Sequence, residues 1–320
     1  MKKKKLAFIC QAGLDTFIEP IVQQFELIDQ YQVHRYYCNT QADIIAAVKW
    51  ADIVWLEWAN EIAIFATQIY DLRKKGVIVR LHSYESLGNM PQQIDWTVVD
   101  YLVFVAPHIR EIVKMNIPDI EKKVCTKVVY NGVDIDKIQP NKVLNPLDIA
   151  YVCNINHKKE PALALQIMAE LVKVDPEYKL HIAGEFQDNR YKIYMKHIAK
   201  EMGIEDNILY YGFVHEMDTF WECKGIILST SIHEGHALNI IEGASRGLRP
   251  VIHNFMGAKE LYPQTCLYNT VLEAVYLISG SHANIHPEIK DYVIDRGWTL
   301  ETQIHKFKAL IDKAGKKGKP

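Results

Sequence analysis

The sequence predicts an α/β protein built from two doubly wound parallel sheets, and three observations support this prediction. Short apolar runs rich in β-branched residues alternate with stretches of helical period. The runs are continuously apolar, which is typical of strands covered on both faces. The alternation occurs twice along a chain of 320 residues, a length that suits two domains.

The apolar runs fall into two series of predicted strands. The first series covers residues 6–10, 53–55, 77–81, 101–105 and 127–130. The second series covers residues 149–152, 180–183, 208–211, 226–228 and 251–253. Between strands, residues 162–172 carry apolar side chains at spacings of two to four, which predicts a largely buried helix. Residues 300–314 have helical spacing as well and predict a closing helix.

The join between the domains is expected between Asp134 and Leu147, because this stretch is poor in apolar residues and contains Pro140 and Pro146. We therefore expect an N-terminal domain over residues 1–138 and a C-terminal domain over 147–299. Residues 300–320 complete the chain as the closing helix and a basic tail. Ligands of such sheets bind outside the carboxyl ends of the strands, so residues that follow strands are site candidates.

Composition narrows the class of protein. A hydrophobic fraction of 49% is ordinary for a globular protein, and a net charge of −2 gives no reason to expect nucleic acid. The six cysteines are scattered without a CxxC pair, which fits a reducing cytoplasm. No apolar stretch approaches the roughly 20 residues that span a bilayer. The basic runs at 2–5 and 313–319 favour solvated tails over weak peripheral contact with the cytoplasmic face of a membrane.

The most informative segment covers residues 229–252, which reads as polar turn, helix, glycine stop and strand. Gly247 and Pro250 end the helix. Glu234 lies in the turn and Glu242 in the helix, with seven residues between them. Carboxylates accept hydrogen bonds from hydroxyls, whereas free backbone amides at a helix start bind phosphate. The amides belong to Gly235, His236, Ala237 and Leu238. The pattern therefore predicts a ligand with phosphates and hydroxyls, such as a nucleotide sugar.

This segment resembles the retaining GT-B glycosyltransferases of family 4, also described as glycosyl transferases group 1. Their Glu-x7-Glu element is matched in register by Ser231, Glu234, Gly235, Glu242, Gly247, Pro250, Val251 and Ile252. Gly243 replaces the usual alanine, and Ala237 stands where a glycine is common. Weaker matches follow the family's order at residues 100–105, 129–134, 181–184, 210–214 and 257–260. The resemblance implies two Rossmann-like domains that face a central cleft.

The resemblance also assigns roles in the C-terminal domain. Glu242 is expected to bind the ribose hydroxyls, and Glu234 the transferred sugar. Lys159 aligns with the family lysine that holds the donor diphosphate, and Lys158 is its neighbour. Asn154 falls on the family's arginine position, so one positive charge is missing there. Either Lys158 compensates for this loss or donor binding is weak. The backbone at Phe213 and Val214 is expected to receive the nucleobase.

Two N-terminal residues complete the implied site. His82 follows a predicted strand and matches the family histidine that faces the transferred sugar. Gly13 is what remains of the family's glycine-rich loop near the diphosphate and the acceptor. The cluster of Trp55, Glu57, Trp58 and Glu61 leaves two interpretations open: an acceptor-sugar site, or a buried tryptophan pair with a solvated glutamate.

The reaction implied by the resemblance moves a hexose-type residue from a UDP- or GDP-linked sugar to an acceptor hydroxyl with retention of configuration. Acceptors of the family include glycans, lipid-linked glycans and proteins, and surface polysaccharide synthesis is a typical setting. No metal or further cofactor is expected. Asp134 and Asp136 favour a helix cap over a metal site, and His233 with His236 lacks a third zinc ligand of suitable spacing.

Two alternatives remain at this point. One is a degenerate GT-B protein that binds a nucleotide or a glycan without catalysis; Asn154 and Ala237 favour it, whereas Glu234, Glu242 and Lys159 oppose it. The other is a nucleotide-sugar epimerase, which shares the architecture, needs acidic residues to abstract a proton and uses no acceptor.

Overall fold

The computed structural model describes residues 3–280 and 288–315. Lys2 and the basic residues after position 315 lie outside this part of the chain. The chain divides into two compact units: Met1–Gly132 with Thr299–Pro320, and Val133–Trp298. Each unit contains one six-stranded sheet, and every pair of neighbouring strands is parallel. The predicted α/β class with two doubly wound parallel sheets is confirmed.

The sheet of the first unit has the strand order β2-β1-β3-β4-β5-β6. Its strands are β1 (Lys4–Gln11), β2 (Tyr31–Cys38), β3 (Ile53–Glu57), β4 (Gly76–Leu81), β5 (Tyr101–Phe104) and β6 (Cys125–Val128). Its helices are α1 (Glu19–Glu26), α2 (Gln41–Trp50), α3 (Glu61–Thr67), α4 (Ser83–Ser86), α5 (Pro107–Asn116) and α6 (Ile120–Lys123). Strands β3 and β4 are buried along their whole length, as their continuous apolar sequence predicts.

The sheet of the second unit has the order β12-β11-β10-β7-β8-β9. Its strands are β7 (Leu144–Val152), β8 (Lys179–Ala183), β9 (Ile208–Gly212), β10 (Cys223–Ser229), β11 (Arg249–His253) and β12 (Leu267–Tyr268). Its helices are α7 (Pro161–Val174), α8 (Asn189–Glu201), α9 (Met217–Trp221), α10 (Leu238–Ser245), α11 (Ala258–Leu261), α12 (Val271–Ser279) and α13 (Glu288–Asp295). The core lies between this sheet and helices such as α7, whose Leu165, Met168 and Leu171 are fully buried.

The C-terminal helix α14 (Leu300–Ile311) returns to the first unit. Phe307 of this helix meets Trp55 of β3 edge to face, with the ring centroids 4.7 Å apart. The segment expected as a separate closing helix therefore contributes to the core of the first unit.

The chain enters the second unit after Gly132, earlier than the join expected between Asp134 and Leu147. Backbone hydrogen bonds explain the difference. The Val133 amide donates to the Trp298 carbonyl at 3.0 Å, and the Asn141 amide donates to the Arg246 carbonyl at 3.0 Å. The Asn141 side chain also donates to the Trp221 carbonyl at 2.6 Å. The polar stretch is thus attached to the second unit rather than free.

Among the helices of residues 3–280 and 288–315, none has the length and the apolar character that a membrane-spanning helix requires.

Candidate functional site

The candidate site of the second unit lies at the carboxyl ends of β7 and β10, where two loops are held together. The Tyr151 hydroxyl donates to the Lys159 carbonyl at 2.8 Å, and the Thr230 hydroxyl donates to the same oxygen at 2.5 Å. The Ile232 amide donates to the Lys158 carbonyl at 2.9 Å. These bonds fix the lysine-bearing loop against the polar turn that leads into α10.

The two lysines meet Glu234 in this turn. Lys159 Nζ lies 2.5 Å from Glu234 Oε1, and Lys158 Nζ lies 3.3 Å from Oε2. Burial alone would raise the pKa of Glu234, but the charges of Lys159 and then Lys158 outweigh it and lower the pKa to about 2. Burial lowers the pKa of Lys159, yet the nearby Glu234 carboxylate raises it above its usual value. All three predicted residues therefore form one charged cluster.

Helix α10 begins directly after this cluster. Its N-cap, Ala237, offers no side-chain hydrogen bond, so the first amides of the helix are not capped by that side chain. The Asn239 side chain donates to the Val152 carbonyl at 2.7 Å and so anchors the first turn to the end of β7. Such a helix start suits an anion.

Glu242 lies one turn further along α10. Burial raises the pKa of this carboxyl to about 7; Arg246 opposes the rise and Asp218 adds to it. Functional residues often have a pKa that their surroundings shift towards neutral pH, and Glu242 has this property.

The other predicted residues of the second unit have different environments. His236 is buried and meets the Trp298 ring edge to face, at 4.5 Å between centroids. Gly235 precedes His236 in the loop, and Leu238 follows the N-cap Ala237 as the first residue of α10. Asn154, at the position where the family has an arginine, is exposed. Phe213 follows the edge strand β9 with 60% of its surface exposed, and Val214 comes next.

Gly184, the last residue of the matched run 181–184, has a clear structural role. Gly184 follows β8 with φ of 135°, and a Cβ at this position would lie 1.9 Å from the Cys153 carbonyl oxygen. Only a residue without a side chain allows the end of β8 to approach the segment after β7 so closely.

In the first unit, His82 follows β4 and is buried. Its Nε2 lies 2.7 Å from Glu57 Oε1, and its ring stacks on Trp58 with the centroids 4.0 Å apart. Burial and the nearby Arg80 lower the pKa of His82, although Glu57 acts in the opposite direction. Gly13 lies in an exposed turn with φ of 85°, and a Cβ at this position would meet no atom within 4 Å.

Glu57 is the centre of a buried network that the sequence did not reveal. Its carboxylate accepts from Trp55 Nε1 at 2.7 Å and from Arg80 Nη1 at 3.0 Å. The other end of the Arg80 guanidinium donates to Asn131 Oδ1 at 2.5 Å. Trp55 and Trp58 are both buried and Glu61 is exposed, as the interpretation of a buried tryptophan pair with a solvated glutamate predicts, whereas Glu57 itself is fully buried. Arg80 had no signal in the sequence beyond its place inside an apolar strand.

A second buried carboxyl group lies beside this network. Glu85 Oε1 accepts from the Ala59 amide at 3.0 Å and from the His82 amide at 3.3 Å. Burial raises the pKa of Glu85 to about 7 in spite of these hydrogen bonds.

Across the described ranges, no group of three or more His, Cys, Asp or Glu side chains is arranged to hold a metal ion. Asp134 instead pairs with Lys137 at 3.0 Å.

Comparison with known proteins identifies relatives by family and by fold. Residues 133–264 match the family described as glycosyl transferases group 1. A search of curated proteins finds no matching sequence. Among solved structures, the lipopolysaccharide outer core galactosyltransferase WaaB in its apo form has a TM-score of 0.72 at 19% identity, over 97% of this chain and 99% of that one.

Two further structures cover nearly the whole chain. A glycosyltransferase from Rickettsia africae has a TM-score of 0.75 at 14% identity, over 98% of this chain and 99% of its own. HepE from Anabaena, in complex with UDP-glucose, has a TM-score of 0.77 at 14% identity, over 97% and 100%. The chain therefore has the two-sheet α/β fold of these GT-B glycosyltransferases, and its residues 133–264 match the group 1 glycosyltransferase family.

Proposed function

We propose that this chain is a retaining glycosyltransferase that moves a hexose-type sugar from a nucleoside diphosphate to an acceptor hydroxyl. The observation that carries the proposal is the buried Glu234 between Lys158 and Lys159 at the start of α10. Glu242 follows within the same helix, and all four residues lie in the segment that matches the family. This combination of cations, helix amides and carboxylates suits a ligand that has both phosphates and hydroxyls.

The charge of the cluster supports the binding of a diphosphate. Lys158 and Lys159 carry two positive charges, of which Glu234 balances one. Because Asn154 is uncharged and Lys158 contacts the same carboxylate as Lys159, Lys158 is the residue that replaces the family's arginine in this proposal. Glu242 then accepts hydrogen bonds from the ribose hydroxyls, with Phe213 and Val214 beside the nucleobase.

The proposed reaction needs no protein nucleophile. The bond between the anomeric carbon and the donor phosphate oxygen breaks, while a bond forms between that carbon and the acceptor oxygen. The acceptor proton passes to the departing phosphate oxygen on the same face of the sugar. Lys159 and the amides of α10 stabilise the negative charge that develops on the diphosphate, and Glu234 orients the sugar hydroxyls.

The proposal also names the donor nucleotide, the roles of two residues of the first unit, the acceptor and the location. A UDP-linked donor is preferred over a GDP-linked one, because the HepE structure holds UDP-glucose and that of the pneumococcal O-GlcNAc transferase GtfA holds UDP and GlcNAc. His82, held by Glu57, supports the transferred sugar from the first unit, and Gly13 lets the backbone approach the ligand. A glycan acceptor, a role in polysaccharide synthesis and a cytoplasmic location complete the proposal.

A panel of nucleotides and nucleotide sugars tests the proposed function. Melting temperatures are measured with UDP, GDP, ADP and their sugar conjugates, for wild type, Glu242→Gln and the exposed control Glu201→Gln. A ligand at 100 times its dissociation constant stabilises the protein by about 2.7 kcal/mol. We expect UDP to raise the melting temperature of wild type and of the control, and that of Glu242→Gln by clearly less, because a tenfold loss of affinity leaves only part of the stabilisation. Absence of any shift with all nucleotides would overturn the proposal, and binding without hydrolysis of any conjugate would favour the degenerate protein.

A further inference from the structure

We propose that Trp58 is a positioning residue for the transfer reaction, because it holds the His82 ring and the turn that carries Gly13 in one fixed arrangement. This role depends on the proposed function and adds to it a residue that acts through its neighbours. Trp58 lies outside residues 133–264, the part of the chain that matches the family.

The place of Trp58 in the sheet gives it access to both neighbours. Trp58 directly follows β3, and β3 lies between β1 and β4 in the sheet of the first unit. Gly13 lies in the turn after β1, and His82 directly follows β4. The carboxyl ends of parallel strands meet at the same edge of a sheet, which is where ligands of such sheets bind. A residue in the loop after β3 can therefore contact both the turn and the histidine.

The backbone of Trp58 has the left-handed conformation, with φ of 77°. A bulky side chain is disfavoured in this conformation, and glycine is the usual residue there. Two hydrogen bonds maintain it. The Trp58 amide donates to the Arg80 carbonyl at 3.0 Å. The amide of the next residue, Ala59, donates to Glu85 Oε1 at 3.0 Å. A disfavoured conformation that its surroundings maintain is typical of functional sites, and this one carries a tryptophan where a glycine would fit.

The indole ring of Trp58 covers His82. The two rings stack with 4.0 Å between their centroids and 30° between their planes. Phe17 packs against both, with its centroid 5.7 Å from that of Trp58 and 5.1 Å from that of His82. Glu57 holds the edge of the imidazole at Nε2, whereas Trp58 holds its face. These contacts together define the orientation of the His82 ring.

The indole nitrogen of Trp58 holds the turn after β1. The Leu14 amide donates to the Gln11 carbonyl at 3.1 Å and closes this turn around Gly13. Trp58 Nε1 donates to the Leu14 carbonyl at 3.0 Å. One side chain thus links the turn to His82. A displacement of about 1 Å in a residue that positions the substrate can slow an enzyme about a hundredfold, so the loss of this link should be visible in the rate.

Two tryptophans of the first unit provide a matched comparison. Trp96 is buried, like Trp58, and its Nε1 donates to the Pro91 carbonyl at 2.8 Å. Trp96 precedes β5 and so lies at the opposite edge of the sheet. Trp58→Phe and Trp96→Phe therefore lose the same kind of hydrogen bond, but only the first acts on the turn around Gly13. Trp58→Gly removes the whole ring and suits the left-handed backbone, so this variant should fold.

Donor hydrolysis by the full chain tests the role of Trp58. The rate of sugar release is measured with UDP-glucose, or with the conjugate of the panel above that wild type hydrolyses fastest. We expect kcat to fall about tenfold in Trp58→Phe and about a hundredfold in Trp58→Gly. The KM for the donor should stay unchanged in both, because the residues proposed to bind the nucleotide belong to the second unit. Trp96→Phe should lower the melting temperature without changing kcat, and UDP should raise the melting temperature of all four proteins by the same amount.

Two results would overturn the role of Trp58. One is a kcat of Trp58→Phe equal to that of Trp96→Phe. The other is a loss of stability without any loss of kcat in both Trp58 variants, since Trp58 would then have a structural role only. A wild type that binds UDP but releases no sugar from any conjugate would instead overturn the proposed function, and the role of Trp58 with it.

Discussion

Replacement of Glu234 by Gln should change the dependence of stability on pH in a defined way. The lysine pair lowers the pKa of Glu234 from the usual 4.5 to about 2 in the folded protein. A carboxyl group with a lowered folded-state pKa stabilises the protein above its unfolded pKa, and this contribution is lost as the pH falls towards the folded value. A difference of about 2.5 pKa units corresponds to about 3 kcal/mol at pH 7.

Glu234→Gln should therefore destabilise the second unit by about 3 kcal/mol at pH 7. About 1 kcal/mol of the difference from wild type should have vanished by pH 4, and about 2 kcal/mol by pH 3. The assay is urea unfolding of both proteins across this pH range, followed by tryptophan fluorescence, with Glu201→Gln as an exposed control. The effect of removing one partner is large because Lys159 stays buried without its counter-charge.

Two results would refute this reasoning. A difference between wild type and Glu234→Gln that is the same at pH 7 and pH 3 would mean that the glutamate is not held ionised by the lysines. A variant as stable as wild type at pH 7 would mean that the cluster contributes no net stability, as happens for some buried ion pairs that are replaced by neutral groups.

Three further changes have expected outcomes. Gly184→Ala should cost about 3 kcal/mol in urea unfolding because its Cβ would overlap a carbonyl oxygen, whereas Gly203→Ala, with a positive φ but no atom within 4 Å, should cost only about 1 kcal/mol. Nucleotide affinity measured by calorimetry should rise up to about tenfold from pH 6 to pH 8 as Glu242 ionises, and Glu242→Gln should abolish this part of the dependence. Lys158→Gln should weaken binding of the diphosphate by about tenfold, and adding Asn154→Arg to that variant should restore it; no rescue would show that position 154 does not face the diphosphate.

The strands that the sequence predicted are those with continuous apolar runs. Strands β3 and β4 have no exposed residue, so burial on both faces left a clear pattern. The edge strand β2, Tyr31–Cys38, was missed because it pairs on one side and carries exposed polar residues such as Gln32. The two-residue strand β12 is too short to give a pattern.

The candidate site was predictable to the extent that its residues are close in sequence. Glu234, Glu242 and the start of α10 follow from one segment. The contact between Lys158 and Glu234 spans 76 positions and depends on loops that only the folded sheet brings together. The same holds for Arg80 and Asn131, which are 51 positions apart and meet inside the first unit. An arginine inside an apolar strand does not show which buried carboxylate it will meet.

The central claim is transfer with retention from a nucleotide sugar, and the configuration of the first product tests it most directly. UDP-glucose is incubated with the protein, water serving as acceptor, and the anomeric proton of the released glucose is followed by NMR before mutarotation. We predict that the α-anomer, the configuration of the donor, appears first and that Lys159→Met greatly slows its release. Initial formation of the β-anomer would contradict retention, and no release from UDP-glucose or any other conjugate would contradict a transferase function.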